Sequence, residues 1–360
     1  MRSAECGMRN EADCGLGTVR TPHSAFRTSP AFTLVEILVT IALLSLIILG
    51  LFATFNQVQR AFRSSMNQVD RLEAGRAVTG MIPAELEQTT PSNANATNFY
   101  AQIVGSTGPF LTPLTQNLPG TATPPIQRTN LLEDCFILQR QNQTWIGIGY
   151  CVRTNDANGK LWFPETGPGS GQLGVGSLYR FTATLPVVYY NSNNARDPRN
   201  GLPSDPGQLC SLFKTAALPG SPAISNRICD GVIHFYLGTF ATNGFPLILG
   251  ARSGTNVACF RPDAISISPL YPIVHPVRAY PNSSYSYPGN LAALYFQSNA
   301  VPASVELQFG ILEQHAWERY NSIGDATARL NYLQRDDTAS RVQLFRQRVP
   351  IRNVNPLAYQ

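Results

Sequence analysis

The chain has 360 residues, with 27 Lys and Arg against 22 Asp and Glu, a net charge of +5 in which charged residues make up only 14%. That charge is too thin and too scattered for a nucleic-acid stripe, and Lys160 and Lys214 are its lysines. Ordinary apolar content with 28 glycines and 27 prolines excludes a disordered chain and predicts a packed, loop-rich, β-leaning body of one large or two modest domains.

Residues 1–31 are polar and aperiodic and read as a leader peptide, with Arg20 and Arg27 near its end. From Ala31 to Phe55 the chain runs AFTLVEILVTIALLSLIILGLFATF, and from Ile37 to Phe55 it carries no charge. At about 1.5 Å per helical residue that stretch reaches roughly 28 Å, close to the thickness of a bilayer's hydrocarbon core, so a span in contact with membrane lipid is expected. Glu36 breaks the uniformity. An isolated carboxylate at that depth costs about 2.5 to 3.5 kcal/mol on insertion scales and calls for a partner. A cut between Ala31 and Phe32 would supply one, because the new amino group of Phe32 would be a cation one helical turn from Glu36. A cleaved secretory signal peptide fits less well: its small residue would follow a shorter apolar core, and here Ala31 precedes a longer one.

The run FTLVEILVTIALL resembles the class III signal of type IV prepilins and type II secretion pseudopilins. The resemblance implies that a prepilin peptidase cuts after Ala31 and methylates the amine of Phe32, and that Glu36 registers subunits in a helical filament. Ala31 departs from the family's usual glycine before the cut. Arg60, Arg63, Arg71 and Arg76 follow the span, so a count of basic residues alone would put the body on the cytoplasmic side. The family's peptidase acts on a cytoplasmic leader, which implies an inner-membrane protein with an extracytoplasmic, periplasmic body.

Beyond the span, Phe55, Val58, Phe62, Met66, Val69 and Leu72 recur at three- and four-residue steps, the period of a helix with one apolar face. Gly80 and Pro83 are expected to interrupt it, with a short restart from Ala84 to Gln88. The expected organisation is therefore a leader at 1–31, an N-terminal helix at 32–88 with its span at 32–55 and its amphipathic half at 56–82, and a β-rich body at 89–360. Within that body TTPSNANATN reads as a polar linker. Short runs rich in Val, Ile, Tyr and Phe then alternate with turn clusters: CFILQR, WIGIGYCVR, KLWF, SLYRFTATLPVVYY, GVIHFYLGTF, PLILGAR, LAALYFQS and SVELQFGIL. Asn158-Gly159 marks a hairpin, and 167–176 and 191–222 read as surface loops. Residues 313–323 and 325–334 carry helix formers, the second with Asp325 as N-cap, and RVQLFRQRVPI closes the chain as a strand with Val342, Leu344 and Phe345 inward. The order DGVIHFYL, VPASVELQFGIL, RVQLFRQRVPIRN resembles the end of the J-type minor pseudopilins and W-type minor pilins.

Few groups suggest chemistry. Cys135, Cys151, Cys210, Cys229 and Cys259 lie beyond the leader without any C-x-x-C spacing. Outside the cytoplasm one or two disulfides are open, Cys210 with Cys229 and Cys135 with Cys151, and five reduced, buried thiols are the alternative. GSGQLG at 169–174 matches a dinucleotide pattern but lacks the strand before it and the helix after it. The four histidines are scattered, and His234, in an apolar strand, reads as a hydrogen-bonded core residue. Asp156 and Asn158 could touch calcium, yet the pattern lacks its final acid and reads as a plain hairpin turn. Glu133–Asp134 and Asp336–Asp337 read as solvated faces. No cofactor and no enzymatic site are expected.

The expected fold is α+β, a long helix packed on a mostly antiparallel sheet. The expected function is assembly, as a minor pilin or pseudopilin working with other pilins, a prepilin peptidase, and an inner-membrane platform driven by a separate ATPase. The alternative is an uncleaved single-pass protein whose outer domain binds a ligand or partner.

Overall fold

The computed structural model describes residues 33–92, 96–104, 111–120, 126–156, 158–190, 202–203, 206–221, 226–242, 244, 249–252, 255–258, 277–281, 291–297 and 299–354. In chain order the elements are α1 (Leu34–Leu86), β1 (Thr97–Ile103), β2 (Leu114–Asn117), β3 (Gln127–Asn130), β4 (Glu133–Gln141), β5 (Thr144–Asn155), β6 (Leu161–Trp162), β7 (Gly176–Pro186), β8 (Tyr189–Tyr190) and β9 (Leu202–Pro203). They continue with α2 (Gly207–Ala216), β10 (Asn226–Phe240), β11 (Leu249–Arg252), β12 (Thr255–Ala258), β13 (Val277–Pro281), β14 (Leu291–Gln297), β15 (Ser304–Leu312), α3 (Gln314–Ser322), α4 (Ala326–Gln334), α5 (Asp336–Ala339) and β16 (Val342–Pro350). The architecture is α+β. The chain divides into two compact units, Met1–Phe62 and Arg63–Gln360, the boundary falling inside α1.

The second unit is built on an antiparallel sheet of ten strands in the order β13-β14-β1-β4-β5-β7-β10-β15-β16, with β6 paired to β5. Its strands alternate between two cores, as the period of two requires. On one face Cys135, Ile137, Ile148, Phe99, Phe235 and Phe309 pack with Val78, Ile82 and Leu86 from the C-terminal end of α1. On the other, Tyr100, Phe136, Leu138, Trp145 and Cys151 pack with Leu209, Cys210 and Phe213 from α2. Gly147 and Gly149 of WIGIGYCVR make room for α2: a Cβ on Gly149 would lie 2.1 Å from the Phe213 ring, and one on Gly147 2.9 Å from the Leu209 Cβ.

In the first half of β10, between Arg227 and Val232, the register with β7 shifts twice, and Gly231 takes φ +72°. Beyond this bulge the strand leaves β7 and closes on the segment that leads into β4. Phe235 N donates to Leu131 O at 2.8 Å. Leu131 N donates to His234 Nδ1 at 3.1 Å, and Leu237 N donates to Glu133 Oε2 at 2.8 Å.

Several expectations need correction. α1 does not stop at Gly80 or Pro83 but runs on to Leu86, because Ile82 and Leu86 bury fully on either side of Pro83 and Glu87 N still reaches Pro83 O at 2.9 Å. That burial offsets the missing donor, which costs about 3 kcal/mol in a helix interior. The region read as a linker is anchored: Thr90 N donates to Leu138 O at 2.9 Å, and Asn98 Nδ2 reaches Ala300 O at 2.8 Å. The loop expected over 191–222 contains α2, whose Leu209, Cys210 and Phe213 share one helical face. In β16 Val342 and Phe345 pack against the α1-side core and Val349 is buried in it, while Leu344 is 45% exposed.

Neither proposed disulfide forms. Cys135, Cys151, Cys210 and Cys229 are free thiols, and each pair is split between the two faces of the sheet. Cys135 is opposite Tyr150, so Cys151, one residue on, points to the other core. Cys210 is on the buried face of α2, while Cys229 packs against the α1-side core. Cys259 lies outside the described residues.

Other readings hold. α3 and α4 lie within the two expected helical stretches, and Asp325 caps α4 by accepting from Ala328 N at 2.7 Å. Asp156 accepts from Asn158 N, Lys160 N and Trp162 Nε1 in the hairpin turn, where Gly159 has φ +73°.

Candidate functional site

The described part of the first unit, residues 33–62, is helix from Leu34 onward with its apolar side chains bare: Leu34 is 78% exposed, Leu46 69% and Phe52 64%. Leu34–Arg63 spans 30 residues and is long and apolar enough to cross a membrane. Exposed leucines and isoleucines along its whole length make an apolar surface of the kind that a partner helix or lipid covers. Its few hydroxyls are turned back on the helix. Thr40 Oγ1 donates to Ile37 O at 2.8 Å, Ser45 Oγ to Ile41 O at 2.7 Å, and Thr54 Oγ1 to Leu51 O at 2.9 Å. Each is therefore satisfied within the helix itself.

Ala31 and Phe32 lie outside the described residues. Glu36 does not. Its Oε2 accepts from Thr33 N at 2.9 Å and from Thr33 Oγ1 at 3.0 Å, while Glu36 N donates to Thr33 Oγ1 at 3.3 Å. This reciprocal arrangement is a capping box, and it satisfies the first amides of α1. Thr33 was missed as a partner of Glu36, although T-x-x-E before an apolar run is itself a helix-start signal. The carboxylate thus has local donors before any new amine is supplied, and it is held toward the N-terminal end of the helix.

The C-terminal end of α1 is fastened to the sheet by a second acid. Glu85 Oε1 accepts from Arg180 Nη2 at 2.6 Å and Nε at 3.1 Å, and Glu85 Oε2 accepts from Tyr150 OH. Glu85 O also accepts from Gln139 Nε2 at 2.7 Å. Burial, followed by the Glu85 charge, pushes the Tyr150 phenol well above its ordinary range, so it remains a donor at any physiological pH. Farther up the helix, Gly75 meets the Phe345 ring, where a Cβ would come within 2.1 Å.

Glu133 and Asp134, read as solvated, are buried on opposite faces. Asp134 takes a bidentate pair from Arg153 at 2.8 and 2.5 Å, and Arg153 Nε reaches Ala217 O, just past α2, at 2.9 Å. Burial raises the Asp134 carboxyl even against this guanidinium. Glu133, without a cation, is pushed by burial to about 8. His234 is a hydrogen-bonded core residue, as expected; it accepts from Leu131 N, and burial carries its imidazole down to about 4. Asp336 and Asp337 are exposed, as expected.

Among the described residues no group of three or more His, Cys, Asp or Glu side chains could hold a metal ion. The GSGQLG stretch is a loop in which Gly169 and Gly171 take positive φ, and β7 rather than a helix follows it. His315 sits on the surface of α3, 3.4 Å from Glu318, and His23 and His275 lie outside the described residues. Comparison with protein-family models, with curated proteins and with solved structures gives no match to the chain.

Proposed function

We propose that this chain is a membrane-anchored, prepilin-like assembly subunit. On this reading it is cut after Ala31 and methylated on Phe32, then joins a pilus or type II secretion pseudopilus by laying its apolar helix against those of other pilins. The observation that carries the reading is the bare apolar segment from Leu34 to Phe62 with a single acid, Glu36, one turn from its start. A filament of packed helices gives that surface an apolar partner, and a neighbouring amine gives the acid a charge of opposite sign. The large sheet with its added helix α2 favours a low-copy, minor position over the repeating one. Prepilin peptidase, the membrane platform and its ATPase are the partners this reading requires.

Glu36→Gln tests it more cleanly than removal of the side chain. The amide can still accept from Thr33 and keep the cap, but it carries no charge. The variant is expected to insert and be cleaved, yet to be recovered with other pilin-like chains at less than about a tenth of the wild-type level. Normal co-assembly would remove Glu36 from the mechanism.

The capping box favours a second reading, a single-pass protein that keeps its leader and presents its body to a ligand or partner. There Glu36 answers only to Thr33, and Glu36→Gln would have no assembly phenotype.

A further inference from the structure

We propose that the outer edge of β16 is a docking strand for an extended acidic segment of another polypeptide, which would add itself to the sheet. β16 ends the strand order. It pairs with β15 without a bulge from Ser304↔Pro350 to Leu312↔Val342. Ile351 N donates to Ala303 O at 3.0 Å, and Glu313 N donates to Arg341 O at 3.0 Å, so the odd-numbered residues turn their backbone groups toward β15. By the alternation of an antiparallel ladder, Val342, Leu344, Arg346 and Arg348 direct N–H and C=O outward. Among the described residues no strand meets them there. Pro350, the next in that row, has no N–H to leave unpaired, and it ends the available edge.

A nine-residue edge strand without a bulge invites pairing, and its protection here lies in charge alone. From Arg341 to Arg352 the chain holds four arginines, Arg341, Arg346, Arg348 and Arg352, and no acid. Arg346 gives Nε and Nη2 to Glu306 at 2.8 and 3.0 Å and remains 71% exposed. Arg348 gives Nε to Ser304 Oγ at 2.9 Å and lies 3.8 Å over the Phe240 ring. Both forks are thereby held in place, with further N–H groups directed at solvent and matched in geometry to a carboxylate. Leu344 adds an exposed apolar contact between them and Val342. A second copy of the chain would bring the same guanidiniums to neighbouring positions of one ladder, where like charges repel. An acidic strand meets no such penalty, gains main-chain bonds for affinity and has its register set by the arginines. This surface lies outside the membrane helix, so it adds a contact beyond helix packing and does not depend on cleavage at Phe32.

The test uses the full chain in detergent and a fluorescein-labelled peptide of alternating Asp and Val, about eight residues long, read by fluorescence anisotropy. The acidic peptide should bind, and its Lys–Val counterpart should not. N-methylation of alternate peptide amides, which leaves the protein untouched, should weaken binding by about tenfold or more. Arg346→Gln with Arg348→Gln should weaken it by about tenfold while the thermal melt is kept. The proposal is overturned if the Asp–Val peptide fails to bind. It is equally overturned if the N-methylated peptide binds as well, which would make the contact charge alone. A dimer in sedimentation that Leu344→Pro abolishes would assign the edge to a second copy instead.

Discussion

Glu85 receives both the Arg180 guanidinium, at 2.6 and 3.1 Å, and the Tyr150 hydroxyl, so one carboxylate ties the last turn of α1 to two neighbouring strands. Arg180 and Glu85 are 24% and 15% exposed, enough burial to give the pair weight and enough water to keep its desolvation modest. Glu85→Ala should destabilise the chain by about 2 to 3 kcal/mol, since it leaves the buried Tyr150 hydroxyl and the partly buried Arg180 guanidinium unmet. Urea unfolding would measure it, and a double-mutant cycle with Arg180→Ala should show coupling near 1 kcal/mol or more. Simple additivity would mean that the clamp contributes nothing as a pair.

Two glycines of the same helix predict opposite signs. Gly75→Ala drives a methyl into the Phe345 ring and should cost about 1 to 3 kcal/mol, with Phe345→Leu relieving part of it. Gly80 has open space around its Cβ position, so Gly80→Ala should stabilise by about 0.5 to 1 kcal/mol through helix propensity. Melting temperatures of the two variants, compared in one detergent, settle both.

Glu133 makes stability depend on pH in a direction opposite to most carboxylates. Its folded value is raised by burial from 4.5 to about 8, so its contribution is fully present below 4.5 and is lost as pH rises through about 8. His234, lowered from 6.5 to about 4 by burial, contributes fully above 6.5 and loses that contribution as pH falls through about 4. The range from pH 6.5 to about 8 therefore isolates Glu133 from His234. Stability there should fall with pH by an amount on the order of a few kcal/mol, and Glu133→Gln should flatten the slope. An unchanged slope in that variant would assign the dependence to other groups.

The thiols give a direct chemical check. Cys135, Cys151 and Cys210 are buried and should resist iodoacetamide in the native protein. Denatured without reductant, Cys135, Cys151, Cys210 and Cys229 should each be alkylated, as peptide mass spectrometry would show. Protection of Cys135 together with Cys151 under those conditions would contradict the sheet register.

Legibility in the sequence followed the physical origin of each feature. The apolar N-terminal helix and the strands were readable because uninterrupted apolar runs and β-branched patterns are local signals, and Asp325 announced its helix in the same way. Glu133 and Asp134 were misread because two adjacent acids look solvated unless one knows that Leu237 N comes from β10 and Arg153 from the neighbouring strand β5 to meet them. Cys135 with Cys151 failed on parity, because a one-residue offset in β5 decides which core a side chain enters, and Cys210 with Cys229 failed because Cys210 rides on a helix on the other face of the sheet. Helix α2 was hidden by the Pro, Gly and Asn residues before it, although Leu209 and Phe213 at a step of four were present. Thr33 was overlooked for another reason, since the four residues that form the cap are also the ones that carry the resemblance to a processing signal.

The central claim is that Phe32 becomes the first residue of the mature chain and so brings an amine to the depth of Glu36. Intact-mass measurement of the protein extracted from membranes of its native cell tests it most directly. The account predicts a chain beginning at Phe32 with one added methyl group. A mass that retains residues 1–31, or a terminus at any other position, would contradict it.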